Sequence, residues 1–188
     1  MKTIRPLFAL LTIILLFILP AQSQEKFFTK TGKMVFDATA KNSPEEVNAT
    51  NNSVTCVIDT RSGSIQLAVL MKGFQFERAL MQEHFNENYV ESDKYPRAEF
   101  RGMIDHYDGQ SLSKEGTYNV VVKGNLTFHG VTREMNAPAS IIVQKGMMKA
   151  GTSFVIDLKD YNISVPQLVS DKLSNSVSVK LDCNLQPL

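Results

Sequence analysis

The sequence predicts an all-β protein: an eight-stranded antiparallel up-and-down barrel with one short helix capping its mouth. Three observations carry this. About eight segments alternate apolar and polar residues with period two, as strands with one buried face do. The links between them are short and turn-rich, which favours antiparallel pairing, and no strand–helix–strand rhythm is present. One stretch, Phe76–Phe100 (FERALMQEHFNENYVESDKYPRAEF), does not alternate and is dense in aromatics, Met, Leu and paired charges. It reads as a helix over roughly Phe76–Asn88, an acidic turn, and a Tyr95-Pro96 step into a strand. A two-sheet sandwich shares the alternation; the barrel is the preferred reading, with this stretch as its cap and entrance.

The chain opens on residues that do not belong to the barrel. Lys2 and Arg5 precede an apolar run, Leu7–Leu19, then Pro20 and the small residues of Ala21-Gln22-Ser23. This is the pattern of a secretory signal peptide, residues 1–23, cut after Ser23. The run is short of the ~20 residues that span a bilayer, so no membrane anchor is expected. Residues 24–188 then form one domain, exported to the periplasm or secreted.

Residues 24–32 read as a polar lead-in. Met34, Phe36 and Ala38 share a face of the first strand. Asn42–Asn52 reads as a loop with a turn of helix around Pro44-Glu45-Glu46. Val54, Cys56 and Ile58 mark the second strand and Arg61-Ser62-Gly63 a turn. Ile65, Leu67, Val69 and Met71 mark the third. After the cap, Ala98–Asp105 returns to strand, and a polar loop runs from Asp108 to Gly116. The clearest strand follows: Val120, Val122, Leu126 and Phe128 share a face, with Gly124 at the one gap, ending at a His129-Gly130 hairpin turn. Glu134–Gln144 and Met148–Leu158 are two more strands about a Lys145-Gly146 turn. Residues 159–174 read as a long loop, and Val177, Val179, Leu181, Cys183 and Leu185 line the last strand.

Composition narrows the function. Without Lys2 and Arg5, 18 basic residues face 19 acidic ones, a net charge near −1. That is not the basic excess of a nucleic-acid binder. Glu83, His84 and Glu87 suit a solvated helix face as well as acid/base chemistry. No nucleophile elbow or phosphate loop is present. His84, His106 and His129 lack zinc spacing, and no cofactor is implied. Of the three, one reads as structural and two as surface residues. Cys56 and Cys183 face inward on strands two and eight. With one strand between them they stand ~9–10 Å apart at ~4.8 Å per strand, beyond the ~7 Å a disulfide allows, so two buried thiols are expected.

Two motifs now become informative together: Gly124-Asn125-Leu126-Thr127-Phe128-His129-Gly130-Val131-Thr132-Arg133 at a strand–turn–strand, and upstream Glu83-His84-Phe85 leading to Lys94-Tyr95-Pro96 and Phe100. In this order they resemble the YceI-like family of exported lipid-binding proteins, over essentially the whole mature chain. The resemblance implies a lipocalin-like barrel, an apolar tunnel for a long-chain isoprenoid, quinone-like or fatty-acid-derived molecule, and no catalysis. Met81-Gln82 stand where many members carry an Arg-Asp pair. Phe85 replaces a Leu, and Tyr161-Asn162-Ile163 an Arg-containing segment. A neutral or weakly polar headgroup is therefore expected.

The expected tunnel lining is Phe36, Ile65, Leu67, Val69, Val120, Val122, Leu126, Phe154 and Ile156, with Phe76, Leu80, Phe85 and Tyr89 at the entrance. The expected partner is an apolar lipid with an isoprenoid or acyl chain; a homodimer is left open. The competing reading is a periplasmic accessory module with a side-chain-filled barrel, docking through exposed aromatics such as Phe74, Phe76 and Tyr89.

Overall fold

A computed structural model describes residues 25–188; the expected signal peptide lies outside the described residues. Eight strands follow one another around a closed antiparallel barrel: β1 (Lys26–Thr39), β2 (Asn48–Asp59), β3 (Ser64–Leu70), β4 (Arg97–Ile104), β5 (Gly116–Phe128), β6 (Val131–Gln144), β7 (Met147–Asp157) and β8 (Leu173–Pro187). Each pairs with its neighbour in sequence, and β8 closes onto β1. Alternating burial along β8, with Val177, Val179, Leu181, Cys183 and Leu185 inward, is the period-two pattern in full.

The two ends of the barrel differ. At one end sit Glu25, the C-terminal Leu188 and the 60–63, 105–115 and 145–146 links. Phe27, Ile58, Leu112, Met148 and Leu185 are buried there and fill the cross-section. Tyr107 stands over Gly63 and donates its hydroxyl to the Thr60 carbonyl. This end is plugged. The other end carries the 40–47, 71–96, 129–130 and 158–172 links, and here the pairing splays. β2 and β3 pair only over Thr55–Ile58, and β6 and β7 only from Ala139 and Thr152 toward the plugged end. Pro138, which has no N–H to give a ladder, stands where β6 and β7 part. The result is a wide mouth, roofed by residues 71–96.

Several strands reach further toward both ends than their alternation indicates. β1 begins at Lys26 inside the expected lead-in, because irregularities between Thr29, Gly32 and Met34 break its period. β2 begins at Asn48 inside the expected loop. Its polar Asn51 faces inward with both polar atoms of its side chain paired: Nδ2 donates to the Leu70 carbonyl and Oδ1 accepts from the Ser53 N–H. The expected helical turn at Pro44–Glu46 is a run of turns and bends, and β8 starts at Leu173. The cap helix α1 (Ala79–His84) is shorter than the expected Phe76–Asn88 and continues as a π-helical turn, Phe85–Tyr89.

Cys56 and Cys183 are free and buried, the two thiols expected. Between them on β1 lies Gly32; a Cβ there would sit 2.7 Å from Cys183 Sγ. Its missing side chain leaves room there for the Cys183 sulfur. The neighbouring Cys183 thiol, with burial, pushes the Cys56 thiol well above its usual range.

Candidate binding cavity

The mouth opens into a cavity of about 460 Å³ running down the barrel axis, within the ~300–1,000 Å³ of small-molecule sites. Its wall takes residues from all eight strands. From Val47 at the mouth to Ile58 at the floor, the strand rise and barrel tilt give a depth of roughly 25–30 Å. The lumen is hollow because one wall is built small. β6 and β7 present Ala137, Ala139, Ala150 and Gly151 to it. On the adjoining wall, Gly102 of β4 pairs with Gly124 of β5, and the Phe100 ring lies in the space a Cβ at either would need. The gap at Gly124 thus lets a large ring fold flat against the wall. Inward side chains such as Phe36, Leu67, Leu126 and Ile156 remain only partly buried, since what they face is void.

The roof is aromatic. Phe36 of β1 stacks on Phe85 at 5.3 Å between centroids and meets Phe74 and Phe76 edge-on at 5.3 and 5.5 Å. Phe85 also meets Phe74 at 5.6 Å and Phe76 at 5.1 Å. Such pairs are worth ~0.5–1.5 kcal/mol each beyond the area they bury. They fasten the cap across the mouth without a covalent tie. Its lead-in is held by reciprocal backbone bonds between Thr50 and Gln75, 3.1 and 2.9 Å. Leu80, 61 % exposed, stands at the rim. Tyr89 reaches the cavity from the end of the cap, and burial raises its phenol, so it presents a neutral hydroxyl.

A second fastening lies outside the lumen. His129 and Gly130 both have positive φ, 49° and 74°, and form a two-residue hairpin turn of the type that fits strand twist. His129 is buried. Its Nδ1–H donates to the Tyr161 carbonyl at 2.8 Å, and Nε2 meets the Glu91 carboxylate at 2.9 Å. The Tyr95 ring packs edge-on to it at 4.5 Å. A Cβ on Gly130 would lie 2.6 Å from the Tyr95 ring. The two sequence motifs therefore touch: the histidine-glycine turn receives the tyrosine and glutamate that end the cap, and the Leu158–Tyr161 turn closes the third side.

Of the residues singled out in the sequence, Phe36, Ile65, Leu67, Val69, Phe76, Leu80, Phe85, Tyr89, Val122, Leu126, Phe154 and Ile156 line the cavity. Val120 does not. It pairs with Ala139, which does, and packs into the core. Phe74, expected on an exposed docking face, is buried under the roof, and Phe76 and Tyr89 turn toward the lumen. The sequence reading missed Met34, Phe128, Ile163 and Leu173 on the wall and Glu45, Arg78 and Lys172 at the rim. Ile163, Glu45, Arg78 and Lys172 come from irregular segments where periodicity carries no signal, though Met34 and Phe128 are visible on the faces of β1 and β5. His84 is exposed at the mouth and His106 exposed at the plugged end, so the three histidines do not converge. Among the described residues no three or more His, Cys, Asp or Glu side chains gather to hold a metal ion.

Comparison with known proteins agrees with this geometry. The barrel is similar to a polyisoprenoid binding domain from Saccharophagus degradans implicated in plant cell wall breakdown, with TM-score 0.73 and 14% identity over 88% of this chain and 99% of that one. It is also similar to Burkholderia cenocepacia BcnA, with TM-score 0.64 and 15% identity over 82% and 95% of the two chains. A Campylobacter jejuni YceI protein follows, with TM-score 0.51 and 18% identity over 70% and 80%. No curated protein sequence matches the chain. The profile of the YceI-like domain matches residues 19–185, nearly the whole sequence, and the chain belongs to the YceI-like family.

Proposed function

We propose that this protein binds and carries a long-chain apolar lipid (isoprenoid, quinone-like or acyl-chain) in its barrel, without catalysis, in the periplasm or outside the cell. The observation that carries the reading is the hollow, alanine-walled lumen under a roof of phenylalanines. A barrel of eight strands can be filled by its own side chains; this one leaves its axis open and lines it with apolar groups. Each methylene moved from water onto that lining is worth about 0.8 kcal/mol, so a long chain binds without many polar contacts. The polyisoprenoid-binding neighbour supports the ligand class, and the pattern of residues 1–23 supports export. The buried Phe74 weighs against the accessory-module alternative.

Native mass spectrometry of protein purified gently from its host tests the reading. The expected spectrum shows an adduct of several hundred daltons that organic extraction removes. Protein that is ligand-free from the host, and that takes up no lipid after delipidation, would overturn it. Export is tested on the same material: the expected mature N-terminus is Gln24, and an intact Met1 in the cell interior contradicts it.

A further inference from the structure

The charged residues on the cavity wall are few and mostly gathered at one point. Glu99 reaches the wall from β4 but is engaged by Arg97 and Arg101. The other three, Glu45, Arg78 and Lys172, meet at the mouth from three different links. Glu45 Oε1 pairs with Arg78, and Glu45 Oε2 lies 3.4 Å from Lys172 Nζ. The carboxylate is the least exposed member, at 21 % against 64 % and 53 % for the two cations. Two cations thus hold one carboxylate by one oxygen each, at the edge of an apolar shaft, and the cluster carries a net charge of +1.

Building on the lipid-binding reading, we propose that this mouth takes the head of a long-chain carboxylic acid, with the ligand's carboxylate replacing Glu45 between Arg78 and Lys172. Glu45 is the protein's own stand-in for the headgroup and fills the slot when the lumen is empty. It sits on the 40–47 link with its own backbone tied to Ser43 and its side chain to the two cations alone, so the carboxylate can swing to water while the acyl chain enters. The incoming monoanion takes over both contacts, and the displaced Glu45 carboxylate is rehydrated. Guanidinium–carboxylate and ammonium–carboxylate contacts are the charge-assisted kind that discriminate an ionised head from a hydroxyl of the same chain length. The expectation of a neutral head rests on Met81-Gln82 and on Tyr161-Asn162-Ile163 in place of an Arg-containing segment. The rim's cations come instead from Arg78, before the helix, and Lys172, before β8.

The test uses delipidated mature protein and three probes of equal chain length: palmitic acid, hexadecan-1-ol and hexadecyl phosphate, each displacing a polarity-sensitive dye from the lumen. Palmitate is expected to bind about tenfold tighter than the alcohol, the scale of one charge-assisted hydrogen bond. Arg78→Gln and Lys172→Gln are each expected to shrink that advantage, and Glu45→Gln to enlarge it. Equal binding of palmitate and alcohol, a preference for hexadecyl phosphate, or an advantage unmoved in the three variants would overturn the assignment while leaving lipid binding intact. Failure of all three probes to displace the dye removes the lipid-binding reading and this one with it.

Discussion

His129 occupies a turn position that suits asparagine or glycine, and its side chain explains why a histidine is there. Both ring nitrogens are engaged, one by the Tyr161 carbonyl and one by Glu91, and Tyr95 covers the ring. His129→Asn separates the two roles, because asparagine keeps the positive-φ turn but cannot span both partners. The variant is expected to lose about 1–3 kcal/mol, read as a lowered urea midpoint. A midpoint equal to the parent's would show that the clamp adds nothing to the turn. Gly32 makes a second single-residue case. Gly32→Ala would push a methyl to 2.7 Å from Cys183 Sγ and 3.1 Å from the Val54 carbonyl, an overpacking cost of ~1–3 kcal/mol. Adding Cys183→Ala opens room on the sulfur side, so the double variant is expected to recover part of the loss. If the losses simply add in urea denaturation, the contact with Cys183 is not the source of the strain.

At the scale of elements, the strands were legible wherever an inward residue met the barrel interior, and illegible where it did not. β5 and β8 read directly from their alternation. The first half of β1 did not, since two register shifts around Gly32 interrupt the period. The start of β2 did not, since its inward Asn51 is satisfied by tertiary bonds that sequence spacing cannot show. The cap was visible as the one stretch that fails to alternate, but its bounds were not. Phe76 precedes α1, in the extended lead-in that bonds Thr50, and the helix opens into a π-turn that brings Phe85 and Tyr89 onto the cavity. The rim charges were hidden for the same reason: links 40–47 and 158–172 are far apart in sequence, and only barrel closure brings Glu45 to Lys172. The cap's attachment yields a prediction of its own. Phe85 holds Phe36, Phe74 and Phe76 together and is half-buried, so Phe85→Ala should cost less than the ~3–5 kcal/mol of a core phenylalanine. Amide exchange of residues 79–89 is expected to quicken while β5 and β8 keep their protection. Uniform acceleration across the barrel would mean that the cap and barrel open as one unit.

For the whole molecule, the hollow lumen sets stability against function. A side-chain-filled barrel would gain the packing that this one forgoes along its axis, and the wall of small residues on β6 and β7 is where the space is kept. Ala139 is the most informative position: it lines the cavity between Val120 on β5 and Thr152 on β7, in the half of β6 that is paired on both sides. A larger side chain there enters void rather than a neighbour. Ala139→Phe should therefore fold, and should gain part of the ~1.5–3 kcal/mol that burying a phenylalanine provides. A ligand bound in the parent's lumen would stabilise the folded state by mass action, about 2.7 kcal/mol when its free concentration is a hundred times Kd. In the variant the ring occupies the ligand's place. Thermal melts with and without added lipid check both halves: the delipidated variant is expected to melt above the delipidated parent, and lipid is expected to raise the parent's Tm but not the variant's. A variant whose Tm still rises with lipid would place the chain outside the lumen. A variant that melts below the delipidated parent would mean that the wall at Ala139 is already packed, and that the void does not reach β6.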